Sequence, residues 1–364
     1  MAVSVIKYGH PLICLIGGLF CCFLISCTPQ SDLPYTVKVD SCKVQYDIEQ
    51  IFDYSWIQGV AFMLINDTPF LCIYRGDDSL MVVDVYDTAN VLNIPVAGDP
   101  DAFWVQGRTL SYITKEELAA VQTISFDKAD YLKYKTGSYH IPALFNDSFF
   151  ISSIYLTKVV GLNNGLLIPY RVRNESPNLL DTFAYLYLKK GKAGFERTKM
   201  IRNQATLLQR YEYLRFPVSA YDSTKEVLYF TFLKGGSLSS YAFKDGSTKS
   251  VALDPLHTKS FEAAPNDLTY LRRYLKENDK IERMMISPQG HIYLFITNRK
   301  TAEAKSTIIV YSNELNKIAE LKLNESLDPS VAFIQNEKIC IYKTLSHRVF
   351  LSFSVVPSTG RLPE

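Results

Sequence analysis

Beyond residue 27, four imidazoles could bind a metal or carry a proton: His140, His257, His291 and His347. They lie far apart, whereas zinc sites draw His, Cys or carboxylate ligands at close spacing. No HxH, HExxH or CxxC occurs. No metal and no cofactor is therefore expected, unless a closed ring gathers distant residues at its axis. Calcium loops alternate oxygen ligands around a glycine. Asp77-Asp78 after Gly76 and Asp99-Pro100-Asp101 lack that spacing and read as polar turns. Gly235-Gly236-Ser237 lacks the Gly-x-Ser-x-Gly frame of a nucleophile elbow and sits in a predicted hairpin turn. Phosphate-binding glycine loops are absent. Carboxylate pairs for glycoside cleavage are recognised by their separation in space, so none is named among the 37 acidic residues.

The pattern that does stand out is aromatic and basic. Arg202, Arg210, Tyr211, Tyr213 and Arg215 cluster between Ile201 and Phe216, and Tyr270, Arg272, Arg273 and Tyr274 form a second group. Arg and Tyr offer wide apolar surfaces with polar ends, which suits recognition of a partner. Trp104 is a further aromatic platform for stacking on a sugar or a protein. Against this, Tyr residues also pack between sheets and Arg residues solvate rims.

These side chains need a scaffold, and the chain reads as short strands between polar turns. It carries 24 Tyr and 21 Phe, residues that favour strands. A loose echo recurs: an apolar strand, a polar turn, then a strand opening on Ser. Phe70–Tyr74 precedes Ser79–Asp87, Leu228–Phe232 precedes Ser237–Gly246, and Ile292–Ile296 precedes Ser306–Asn313. Weaker copies surround Phe149-Phe150-Ile151, Leu166-Leu167-Ile168, Phe183–Tyr187 and Ile339–Phe353. Asp245-Gly246 is a hairpin signal.

Ile292–Ile296 does not alternate at all, although a sheet with one wet face would. Propeller blades stack and cover both faces, and about 320 residues at ~40–50 per blade give six to eight blades. The fold expected is all-β: a β-propeller of about six to seven blades over 37–358, with one or two short helical insertions. A two-sheet sandwich or two smaller β domains are the alternatives. Asn266-Asp267 can cap a helix whose Leu268, Leu271 and Leu275 share one stripe, ending at Lys276-Glu277-Asn278. Residues 196–212 read equally as a second helix or a long hairpin.

The N-terminus reads as a lipoprotein signal over 1–26. Lys7 precedes an apolar run, Leu12 to Ile25, too short for a stable span, and Ser26 precedes Cys27. Leu24-Ile25-Ser26-Cys27 resembles a lipobox, which would make Cys27 the lipidated first residue of the mature chain; the alternative is an ordinary signal that contains a cysteine. Residues 27–36 read as lipidated Cys and tether. Lipid on Cys27 would be the contact with the membrane. Thr28 follows it, with no Asp to signal inner-membrane retention, so an outer-membrane lipoprotein is expected, facing the periplasm or the surface. Cys14, Cys21 and Cys22 leave with the signal. Cys42, Cys72 and Cys340 remain, an odd set that is no disulfide framework. Cys42 and Cys340 could meet if a ring closes on itself. Cys72 and Cys340 sit in apolar runs and read as buried thiols.

Lys and Arg total 39 against 37 Asp and Glu, and removal of 1–26 takes only Lys7. That balance argues against nucleic acid as a partner. On the lipobox, the length and the Tyr/Phe-rich units, the chain resembles secreted lipoproteins of Bacteroidetes-type bacteria with a six-bladed TolB-like propeller domain of unknown function. The resemblance implies a fold and a compartment and brings no catalytic residues. Asp78-Ser79-Leu80, Asp87-Thr88-Ala89 and Asp222-Ser223-Thr224 resemble the O-glycosylation acceptors of such periplasms. The function expected is a non-catalytic binding or scaffold protein for a protein or glycan partner. The alternative is an envelope hydrolase or lyase whose site combines His140, His257 or His291 with carboxylates at the ring axis.

Overall fold

The computed structural model describes residues 33–43, 59–74, 78–87, 91–96, 98, 100–114, 120–141, 159–172, 182–192, 194–202, 217–233, 235–256, 276–299, 305–343 and 349–358. These residues form six four-stranded antiparallel sheets, the blades of a β-propeller. The first strand, β1 (Tyr35–Lys43), is set aside for the last blade. Blade I is β2 (Gly59–Ile65), β3 (Thr68–Tyr74), β4 (Ser79–Asp84) and β5 (Val91–Pro95). Blade II is β6 (Pro100–Gln106), β7 (Thr109–Thr114), β8 (Ala120–Phe126) and β9 (Tyr134–His140). Blade III is β10 (Val160–Leu162), β11 (Gly165–Val172), β12 (Thr182–Lys190) and β13 (Phe195–Arg202). Blade IV is β14 (Pro217–Asp222), β15 (Val227–Phe232), β16 (Ser237–Ala242) and β17 (Thr248–Ala252). Blade V is β18 (Lys280–Ile286), β19 (Ile292–Thr297), β20 (Ser306–Tyr311) and β21 (Lys317–Leu323). Blade VI is β22 (Leu327–Gln335), β23 (Lys338–Lys343), β24 (Val349–Pro357) and, as its outermost strand, β1.

The innermost strands meet in sequence around a closed ring: β2 with β6, β6 with β10, β10 with β14, β14 with β18, β18 with β22, and β22 with β2. β1 locks that ring by pairing with β24 from Tyr35↔Pro357 to Lys43↔Val349. Its alternating Tyr35, Val37 and Val39 pack into the seam between blades V and VI, as a period of two requires. Lys338 Nζ meets an Asp40 carboxylate oxygen at 2.7 Å on the same blade. β1 thus takes in Tyr35 and Thr36, the last two residues of the expected tether.

The repeated sequence unit is the second and third strand of a blade: β3 and β4, β15 and β16, β19 and β20. Both faces are covered. In β19, Ile292, Leu294 and Ile296 pack toward blade IV, while Tyr293 and Phe295 pack toward blade VI. Tight turns carry the geometry their residues favour. Asn66 and Asp67 have φ of 51° and 61° between β2 and β3, and Asn336 and Glu337 have 49° and 62° between β22 and β23. Two residues with positive φ match the right-handed twist of a hairpin. At Asp245-Gly246 the expected turn forms, with Gly246 at φ 74° and the Ser247 N–H donating to Asp245.

Residues 196–202 belong to β13, so the first part of the undecided 196–212 segment is strand. Of the expected 266–278 helix, only its end is described: Lys276 and Glu277 are helical. Cys72 and Cys340 are buried thiols; burial pushes the Cys72 thiol up to about 12, which leaves it unreactive near neutrality. The side chain of Cys42 lies outside the described residues. Among the described residues no helix is long and apolar enough to cross a membrane.

Candidate functional site

A cleft of about 210 Å³ lies between blades II and III. Its floor is the face that blade II turns toward its neighbour. Three cross-strand rows can be read from the ladder. Gln106, Thr109, Ser125 and Lys135 stand opposite one another in the first row, beside the β6–β7 turn. Trp104, Ser111, Thr123 and Gly137 form the second, and Ala102, Ile113, Val121 and Tyr139 the third. Directly opposed residues in an antiparallel sheet share a face, so four hydroxyls stand in a two-by-two array. Thr109 Oγ1 and Ser125 Oγ lie 3.0 Å apart, and Thr123 Oγ1 donates to the Gly137 carbonyl at 3.2 Å. Gly137, lacking a side chain, leaves the end of the second row open; a Cβ there would come 3.0 Å from Thr123 Oγ1.

Blade III supplies the opposite wall: Leu162 and Asn163 at the β10–β11 turn, Leu166, Lys190 and Phe195. Two contacts hold the walls apart at a set distance. Gln106 Nε2 donates to the Leu162 carbonyl at 2.6 Å, and His140 forms an isolated parallel bridge with Gly194. Gly194 has φ 150°, and a Cβ there would meet the His140 carbonyl oxygen at 2.5 Å. Lys190 Nζ sits 4.1 Å from the centre of the Tyr139 ring, a cation–π contact. Among the described lining residues Lys190 is the one that carries a charge, and none is a carboxylate or an imidazole. The arrangement offers hydroxyls that both donate and accept, one cation, and apolar walls.

The expected partner surface fares differently. Trp104 does not offer an open platform: it is 6% exposed and packs in the core between blades II and III. Its place on an innermost strand, facing a neighbouring blade, buries it, while it still lines the cleft. Arg202 ends β13, with its side chain outside the described residues. Arg210, Tyr211, Tyr213, Arg215, Tyr270, Arg272, Arg273 and Tyr274 lie outside them altogether, as do Cys27, His257 and His347. His140 ends β9, the outermost strand of blade II, and so stands at the rim and not at the axis. His291 is half-buried after the β18–β19 turn, its ring 6.3 Å from that of Tyr35. Burial first, and the Lys225 ammonium second, hold its pKa below the usual 6.5. Among the described residues, no three His, Cys, Asp or Glu side chains group as a metal site. Asp222 accepts from the Thr224 and Lys225 N–H groups, so the Asp of one acceptor-like triplet shapes a turn.

The cleft hydroxyls belong to no catalytic or metal-binding motif, yet their spacing carries a signal. Thr109-x-Ser111 and Thr123-x-Ser125 alternate as a wet face would, in strands whose place in a stacked blade calls for apolar residues on both sides.

No family model matches the chain, and neither does any curated protein. Among solved structures, it is similar to a member of the DUF4221 family from Bacteroides vulgatus. That pair shares 11% identity and a TM-score of 0.54 over 89% of this chain and 100% of the other. A luciferin-regenerating enzyme matches at 7% identity and a TM-score of 0.47, over 89% of this chain and 96% of the other. BamB from Moraxella catarrhalis matches at 11% identity and 0.38, over 85% of each chain. At such identities the likeness to the Bacteroides protein is one of fold, the six-bladed propeller.

Proposed function

We propose that the chain is a lipid-anchored propeller of the cell envelope that holds a glycan or protein partner without converting it. One observation carries the binding role: the hydroxyl-lined cleft between blades II and III. Stacked blades gain stability from apolar contact, so four hydroxyls at a seam depart from the local rule, and such departures mark functional sites. The non-catalytic part rests on the described lining residues, among which Lys190 and Tyr139 are the ionisable groups and no acid–base pair occurs. The rim position of His140 removes one imidazole from a composite site at the axis. The anchor rests on the signal, with Cys27 as the lipidated residue.

The test is a thermal-shift screen of the full chain against envelope glycans and peptidoglycan fragments, with each compound weighed afterwards by mass spectrometry. A ligand at a hundred times its Kd adds about 2.7 kcal/mol, a shift of a few degrees at this size. Stabilisation with the compound recovered intact supports the reading; a product mass overturns it. For the anchor, palmitate label and membrane association should both be lost in Cys27→Ser and kept in Cys42→Ser.

A further inference from the structure

We infer that the cleft between blades II and III receives a single acidic sugar unit, a uronic-acid type ring at an end or branch of a glycan. This rests on the binding role proposed above. Four features of the cleft select that chemistry.

The first is the hydroxyl array. A sugar hydroxyl both donates and accepts, and so does each of Thr109, Ser111, Thr123 and Ser125. An array of them can pair with neighbouring hydroxyls of a ring without leaving a donor or acceptor stranded. The second is charge. Lys190 is the one charged group among the described lining residues, and the Tyr139 ring beneath it fixes its position at the rim. A cation with no carboxylate among the described residues of the lining favours an anionic ligand over a neutral or cationic one. The third is size. At about 210 Å³ the cleft lies below the ~300–1,000 Å³ of sites for drug-sized ligands, so it admits one ring and not a chain. The fourth is its graded depth. Gln106, Ser125, Asn163 and Lys190 are exposed at the mouth, while Ser111, Leu166 and Phe195 are buried. A ring placed there rests its C–H face on the apolar wall, keeps its hydroxyls on the blade II rows, and leaves its linkage in solvent. The Gln106–Leu162 bond and the His140–Gly194 bridge hold the gap before a ligand arrives, which lowers the cost of binding.

The experiment titrates the full chain, in mild detergent, with glucuronate, glucose and acetate, followed by calorimetry and thermal shift. Glucuronate should bind, glucose should bind at least about tenfold more weakly, and acetate should not register. Lys190→Gln should remove the preference for glucuronate over glucose. Thr109→Val/Ser125→Ala removes both members of a hydroxyl pair, which tends to leave stability unchanged or higher. That variant should therefore keep its ligand-free Tm and lose glucuronate affinity by about tenfold or more, a combination that a purely structural role would not produce. The inference is overturned if glucuronate does not bind, if acetate binds as well as it does, or if the variants bind as the parent does. Binding that survives both variants would remove the cleft and leave the wider binding role standing. Conversion of a glycan to product would instead overturn that role.

Discussion

The seam between blades II and III and the seam between blades V and VI are built on the same ladder, and their contents differ in two cross-strand rows. In blade V the second and third strands oppose Tyr293 to Val310 and Phe295 to Ile308, and all four are buried. In blade II the corresponding strands oppose Thr109 to Ser125 and Ser111 to Thr123. Blade VI answers the first set with Ile339, Ile341, Leu351 and Phe353, forming a core that also takes in the closing strand. Blade III answers the second with the buried Leu166 and Phe195 and the exposed Asn163 and Lys190, leaving a cleft above an apolar core. A fully buried large apolar side chain contributes about 1.5–3 kcal/mol relative to exposure, whereas a satisfied hydroxyl pair contributes little net. Closure of the ring is thus concentrated in its apolar seams, and part of one seam is released from that duty.

The contrast can be broken most severely at the dry seam. Phe353→Ala should cost about 3–5 kcal/mol in a denaturant titration, because Phe353 is completely buried and meets Phe295 edge-on. A loss below about 1 kcal/mol would show that this seam does not carry closure. The bridge that spans the wet seam is next. Gly194→Ala should cost about 1–3 kcal/mol, since it combines an unusual φ with a clash against the His140 carbonyl. Hydrogen exchange should then rise at the ends of β9 and β13 and stay unchanged in blade V. Removing a hydroxyl from the wet seam should do far less. Ser111→Ala should shift stability by no more than about 1 kcal/mol in either direction, because it removes a hydroxyl without a large change in volume. The smallest effect concerns pH. His291 is buried toward its neutral form, so its lowered pKa stabilises the fold fully above about 6.5, the unfolded value. That contribution fades as pH falls from there toward the folded pKa. His291→Gln should flatten the acid side of the stability profile over that window and leave pH 8 unchanged.

How far these regions were legible in the sequence follows from what periodicity records. Ile292–Ile296 announced a strand covered on both faces, and the Ser-opening strands marked the same place in three blades, because stacking imposes that pattern directly. The count settled at six only with the ladder itself. Residues 196–202 stayed ambiguous because a run mixing Glu, Arg, Lys and Met suits an outermost strand and an amphipathic helix alike. Trp104 misled for a different reason: an isolated aromatic carries no mark of which side it faces, and its burial depends on Leu166 and Phe195 of the next blade. The cleft is harder still, since it arises from all four strands of blade II against the four strands and first turn of blade III. Only the hydroxyl alternation within β7 and β8 was local.

The lock made by β1 and β24 has a bearing on how the chain is made. Among the described strands β1 comes first, and its partner β24 comes last. A polypeptide delivered from its N-terminus therefore exposes β1 long before β24 exists to receive it. Blades I to V each draw all their strands from one continuous stretch and can form as they arrive. Blade VI has to wait for the whole chain. Its pairing spans the longest separation in the molecule, the kind of contact that slows folding. Until then β1 is an unpaired strand open to strangers, and the span of time from first strand to last sets how long it stays so.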